Sequence, residues 1–248
     1  MFSIIMCSRD DRRFATASAH YASLFAGVEN EIIRIADARS MCEGYNRGVR
    51  QSRGDVLIFS HDDVEFLCAN MPALLTKRLE QFDMLGIAGT TKLVGPRWVQ
   101  AGLPYTIGQV GHVDPEGNGY LVMIWAAADR AVGNIAAMDG LFWCAKRELV
   151  EKVGFDEQTF TSFHLYDLDF TFRASQRGYK LAVCTDLFPI HASLGGFGDP
   201  NWQASAKAFM NKHGRWLASI PKRECTFGWL RVASRAECVK VMTPPWWT

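Results

Sequence analysis

This sequence predicts an α/β fold built on a mostly parallel, doubly wound sheet, and two observations carry that expectation. Up to Gly89, short β-branched and aromatic runs alternate with segments of helical period, the pattern of successive βαβ units. The run Val56-Leu57-Ile58-Phe59 is apolar without helical period and is bounded by Gly54-Asp55 and His61-Asp62-Asp63. A strand buried on both faces reads in this way. At 248 residues and 48% hydrophobic content, the chain can bury a sizeable core, as one large α/β domain or as one domain with appendages.

Each element has its own signal. Phe2 to Cys7 is a strand, followed by the polar loop Ser8-Arg9-Asp10-Asp11. Arg12 to Phe25 is a helix, with Phe14, Ala17, Tyr21 and Leu24 on one face and Gly27 beyond its end. Glu31 to Ala36 is a second strand that runs into Asp37. Met41 to Ser52 is a helix with Tyr45 and Val49 on one face, and Asp55 to Ser60 is the third strand. Asn70 is placed to cap a helix over Met71 to Gln81, and Met84 to Gly89 is a fourth strand. From Thr90 to Asn118 the chain is rich in Gly and Pro and has little period, so it reads as a functional loop carrying Trp98, Tyr105 and His112. Tyr120 to Ala127 and Leu141 to Ala145 are strands and Arg147 to Val153 a short helix. Tyr166 to Arg177 is a longer helix stopped by Gly178. Lys180 to Cys184 and Leu187 to Ile190 are late strands, the second entering His191 and the flexible run Gly195-Gly196-Phe197-Gly198. Asn201 to His213 is helical, and an irregular tail ends in Trp246-Trp247.

Composition narrows the function. The net charge is +1 and the basic residues are scattered, so no nucleic-acid surface is expected. The seven cysteines, including Cys225, form no CxxC pair and read as buried thiols of a reducing compartment. The chain enters a strand at Phe2 with no basic leader, and no apolar run approaches the length of a membrane span. Both point to the cytoplasm.

In open α/β sheets reactive groups lie just past the carboxyl ends of strands. His61, Asp62 and Asp63 stand there, and oxygen ligands with one imidazole suit Mg²⁺ or Mn²⁺. A polar turn with Asp capping the next helix explains the triplet equally well. Asp37 ends the second strand at the same sheet edge, as a ligand or a turn residue. Asp167 and Asp169 open a helix, complementing its dipole or supplying a general base. Two residues apart on a helix they point in nearly opposite directions, so one alone can face a shared site. His191, at a strand end before a glycine loop, is balanced between structural residue and ligand.

Taken in order, these segments resemble the family 2 glycosyltransferases of GT-A fold. The motifs are Cys7-Ser8-Arg9 after the first strand, Asp37 after the second, Asn46-Arg47-Gly48, and Gly54-Asp55 leading through the third strand to His61-Asp62-Asp63. Asp139-Gly140 follows, then Tyr166-Asp167-Leu168-Asp169 through Arg173 to Gly178, then His191. Each is weak alone, and the order is the signal. The resemblance covers residues 1–198, as a nucleotide-binding half over 1–90 and an acceptor and catalytic half over 91–198. Residues 199–248 are a C-terminal helical extension and tail. His61 stands where the family has the first carboxylate of Asp-x-Asp, and Tyr166 where it has Glu. Both departures resemble a bacterial glycosyltransferase-like subgroup, and both leave Asp63 and Asp167 in place.

The resemblance implies a GT-A sheet with a small antiparallel acceptor-side portion. It also implies a metal-dependent inverting glycosyltransferase that moves a sugar from a nucleotide-sugar, UDP-sugar favoured, to a hydroxyl of a glycan or lipid-linked glycan in polysaccharide biosynthesis. Asp63, with His61 and His191, would hold Mn²⁺ or Mg²⁺; imidazole favours Mn²⁺. Cys7, Ser8, Arg9 and Asp37 would form the base pocket, Asp62 would meet the ribose or a metal-bound water, and Asp139 and Trp143 would line the sugar pocket. Asp167 would be the general base and Asp169 would face away. The Thr90–Asn118 segment, with Trp98, and the Trp246-Trp247 tail are the candidate acceptor surfaces. A lipid-linked acceptor would bring the protein to the inner face of the membrane. A nucleotidyltransferase ranks second, because Ser8-Arg9-Asp10-Asp11-Arg12 lacks glycines. A non-catalytic nucleotide-sugar-binding module on the same fold remains the third reading.

Overall fold

The computed structural model describes residues 1–127, 129–194, 198–221 and 228–247. The N-terminal elements are β1 (Phe2–Cys7), α1 (Asp11–Leu24), β2 (Asn30–Ile35), α2 (Met41–Gln51) and β3 (Val56–Ser60), each within one residue of its predicted bounds. Then come β4 (Val64–Phe66), α3 (Met71–Leu79), β5 (Met84–Gly86), β6 (Ala88–Thr90), β7 (Thr106–Val113) and β8 (Tyr120–Ile124). They lead to β9 (Ala131–Val132), β10 (Ala137–Met138), β11 (Phe142–Lys146), α4 (Arg147–Val153), α5 (Tyr166–Gln176), β12 (Leu181–Cys184) and β13 (Pro189–His191). The chain closes with α6 (Pro200–His213), β14 (Leu230–Val232) and α7 (Arg235–Met242).

A seven-stranded sheet in the order β2-β1-β3-β11-β5-β12-β9 forms the centre. β1, β2, β3, β5 and β12 run one way, and β11 and β9 run against them. This is the mostly parallel α/β architecture the alternating pattern predicts. A second sheet, β10-β6-β7-β13-β4 with β8 on β7 and β14 on β8, is antiparallel except where β13 meets β7. With seven strands it is larger than the small antiparallel portion expected.

Local chemistry explains the junctions. Ser40 caps α2 by accepting from Glu43 N, while the Glu43 carboxylate accepts from Arg39 N, two orphan donors satisfied reciprocally. Gly48 lets α2 lie close on β1, since a Cβ there would stand 2.3 Å from Ile5 Cγ2. Asn46 ties the same helix to the backbone of Phe155 by donating to its carbonyl and accepting from its N–H. The Asn-x-Gly motif is therefore scaffold. Arg173 is another latch, donating to the carbonyls of Val153 and Gly154.

Four sequence readings are corrected. The predicted strand Met84–Gly89 is two strands, because the chain leaves the central sheet at Ile87 and enters the second. The Gly- and Pro-rich stretch Thr90–Asn118 contains β7, the central strand of the second sheet, whose glycines leave it without a strand's apolar pattern. Asn70 adopts a left-handed conformation and makes no side-chain cap to α3. The tail is not irregular throughout, since β14 extends the second sheet through β8 and α7 buries Cys238 and Met242 against it. Six cysteines are free thiols; Cys225 and the run Gly195-Gly196-Phe197 lie outside the described residues. Among the described residues no helix is long and apolar enough to cross a membrane.

Candidate active site

The carboxyl end of β3 delivers His61-Asp62-Asp63 to the junction of the two sheets. β13 pairs antiparallel with β4, placing His191 opposite Val64 and one residue from Asp63. His191 Nε2 lies 3.2 Å and His61 Nδ1 3.9 Å from Asp63 Oδ1. One ligand atom from each residue lies within 4.8 Å of the others. All three predicted metal residues thus converge.

Hydrogen bonding fixes how His61 presents itself. Tyr166 Oη lies 3.2 Å from both the Gly140 carbonyl oxygen and His61 Nε2. The carbonyl can only accept, so the hydroxyl donates to it and accepts from His61 Nε2–H. Nδ1 then carries the lone pair and faces Asp63. Burial lowers the His61 pKa from its usual value, which keeps the imidazole neutral and able to ligate. Burial alone would raise the Asp63 carboxyl, but the His191 hydrogen bond and the neighbouring imidazoles hold it at about 2. An ionised carboxylate with two imidazoles fits Mn²⁺ better than the all-oxygen preference of Mg²⁺.

The imidazoles of His61 and His191 face a cavity of about 500 Å³ that also exposes Asp139 and Asp167. Asp167 is in the first turn of α5, where Oδ2 accepts from Gly140 N at 3.1 Å. Gly140 is required there, since a Cβ would stand 2.3 Å from Tyr166 Oη and 2.9 Å from Asp167 Cβ. Burial, with the charge of Asp139 added, raises the Asp167 carboxyl to about 7. Asp139 accepts from Leu141 N and from Trp98 Nε1 at 2.9 Å. Asp169 faces away, as its helical position predicts, and is paired with Arg173, Lys212 and His213.

The other predicted residues divide. Ser8 Oγ donates to Asp62 Oδ2 at 2.5 Å, so the loop after β1 and the triplet after β3 are joined. Arg9 donates to the Ala38 carbonyl and lies over the Phe163 ring. Cys7 packs its sulfur against Gly44, and burial pushes its thiol up to about 12. Asp37 is exposed past β2 and paired with Arg47 at 2.8 Å. Trp143, expected to line the sugar pocket, does not line this cavity. It has no exposure, is nearly parallel to the rings of Phe155 and Phe170 in the core, and donates to the Asp139 carbonyl at 2.7 Å. Its strand position turns it inward, so it supports Asp139 from below.

Sequence reasoning missed Tyr166 as the partner of His61. It also missed His112 beside His191, with ring centroids 5.4 Å apart, and the indoles of Trp125, Trp202 and Trp229 in the cavity wall. Apolar residues in Thr106–Val113 recur every third position, so no alternation marked the strand that carries His112. The three indoles come from separate segments and left no signal.

Comparisons with known proteins bear on the fold and the family. The structure of GalNAc-T7 with UDP, GalNAc and Mn²⁺ superposes with a TM-score of 0.52 at 12% identity, covering 84% of this chain and 47% of that one. The mannosyltransferase PcManGT from Pyrobaculum calidifontis, in complex with GDP-Man and Mn²⁺, gives 0.48 at 10% identity over 87% of this chain and 70% of its own. The first shares the GT-A fold with this chain. No curated protein matches the sequence. The sequence model described as "Glycosyltransferase like family" matches residues 3–212, and the chain belongs to that family.

Proposed function

We propose that this glycosyltransferase is metal-dependent and inverting, and that it transfers a sugar from a nucleotide-sugar, UDP-sugar favoured, to a hydroxyl of a glycan or glycoconjugate. One observation carries the reading: a carboxylate of raised proton affinity shares a cavity with the two histidines of a His-Asp-His triad.

The chain's own groups divide the work. His61, Asp63 and His191 hold the cation, which when bound supplies charge neutralisation to a diphosphate leaving group. Asp62, held by Ser8, lies on the loop beside them and meets the ribose. Cys7, Ser8, Arg9 and Asp37 border the nucleoside at the carboxyl edge of β1 and β2. Asp139 orients the donor sugar by accepting from its hydroxyls. Asp167 takes the proton of the acceptor hydroxyl while its oxygen bonds to the anomeric carbon and the bond to the diphosphate breaks. A single displacement inverts that centre. An acceptor on a lipid carrier would bring the protein to the inner membrane face.

The test is release of free nucleotide from a panel of sugar nucleotides with Mn²⁺. Free UDP supports the proposal; pyrophosphate released instead from a nucleoside triphosphate and a sugar 1-phosphate would indicate nucleotidyl transfer, and turnover of neither a binding protein.

A further inference from the structure

Resting on that reading, we infer that the acceptor hydroxyl is carried on an apolar aglycone, an aryl group or an alkyl chain, and that a free oligosaccharide is a poor acceptor. The cavity above Asp167 is polar at its reactive end and mainly apolar elsewhere, with Arg97 and His164 among the apolar groups. Trp98, Trp125, Trp202, Trp229, Phe163 and Leu194 are among its walls. Phe163, Leu194 and Trp229 keep 41%, 45% and 42% of their surface exposed, so large apolar groups continue to the solvent edge. Exposed apolar groups gathered around one opening mark a surface that a ligand covers. This opening leads to the reacting groups, so the ligand is a substrate.

Aromatic side chains also hold sugars, by offering an open ring face. The deep indoles here do not. Trp98 and Trp125 meet edge to face at 4.7 Å and 68° and are 6% and 8% exposed. Three polar atoms of the same walls are committed within the protein. Trp98 Nε1 donates to Asp139, His112 Nδ1 to the Ser193 carbonyl, and His164 Nε2 pairs with Asp199. A second sugar ring against these groups would lose hydration and regain few hydrogen bonds, whereas an apolar group gains by the same contact.

The experiment has two arms. In the first, methyl, phenyl and octyl β-glucosides and β-galactosides are compared as acceptors with Mn²⁺ and whichever UDP-sugar releases UDP. The expected result is a KM lower by about ten- to a hundredfold for phenyl or octyl than for methyl. A phenyl-only gain assigns an aryl aglycone and an octyl-only gain a chain. Leu194→Ser and Trp229→Ala should each shrink the ratio. In the second arm, binding of the same glycosides to donor-free protein is followed by tryptophan fluorescence, with the same ordering expected. If no sugar nucleotide releases UDP, the transfer reading falls, and the binding arm alone decides the aglycone inference. Equal KM and equal binding across the three aglycones, or a gain unchanged in both variants, would overturn it.

Discussion

Tyr166 Oη bridges His61 Nε2 and the Gly140 carbonyl oxygen, at 3.2 Å from each. Tyr166 therefore sets the tautomer of His61, and the two residues form one unit. Outer hydrogen-bond partners of metal-ligating histidines typically contribute about 10–100-fold in affinity. Tyr166→Phe should lower Mn²⁺ affinity by that amount, measured by calorimetry on donor-free protein. Unchanged affinity would show that His61 reaches the cation without this bond.

Asp63→Asn removes the charge at the centre of the triad. Wild-type protein at a hundredfold over its Mn²⁺ dissociation constant should gain about 2.7 kcal/mol of stability, and the variant should gain far less at the same concentration. Thermal denaturation with and without Mn²⁺ reads both. A variant stabilised as strongly as wild type would move the cation elsewhere.

Asp167 titrates at about 7 in the folded protein, above its ordinary 3.8. With Asp167 as the proposed base, kcat/KM should rise with pH through about 7 and level off above it. Asp167→Asn should lower turnover by about 10²–10⁴-fold and abolish that limb. Stability runs the other way. A raised folded pKa favours the fold at low pH, and that contribution is lost as pH rises through about 7. The Asn variant should therefore gain in melting temperature over wild type above that pH.

Asp169 is a poor silent control for Asp167. Its side chain is 1% exposed and pairs with Arg173, Lys212 and His213, which fasten α6 to α5. Burial would raise its carboxyl, but His213, Arg173 and Lys212 overcome that and hold it below the usual range. Breaking such a cluster from one side typically costs about 3–5 kcal/mol. Asp169→Asn should lose stability of that order in urea denaturation, and the wild-type contribution should fade as pH drops through the lowered pKa. Loss of turnover with wild-type stability would instead give Asp169 a part in the chemistry.

The sequence made the N-terminal βαβ units legible because each strand and helix there carries its own period and stop signal. Asp63, His61, His191 and Asp167 were legible for a related reason, since each stands at an element end where sheet topology fixes its direction. Trp143 was misread because strand register decides which way a side chain points, and a five-residue apolar strand has no alternation to reveal it. β7 was hidden by glycines the second sheet uses for close packing. Trp98 was named from the sequence, but the rest of the wall was illegible because Trp125, Trp202 and Trp229 come from separate segments and meet only in three dimensions.

The triad also spans a seam. His61 ends a strand of the central sheet, His191 ends a strand of the second, and Asp63 lies between them with its carbonyl accepting from Ala192 N at 2.9 Å. Neither sheet can slide past the other without parting these ligands. A cation held there acts as a rivet, and removing it with a chelator should loosen the fold beyond the reaction centre. Amide exchange in β4 and β13 should quicken while β1 and β2 stay protected, so metal occupancy becomes readable in the mechanics of two sheets.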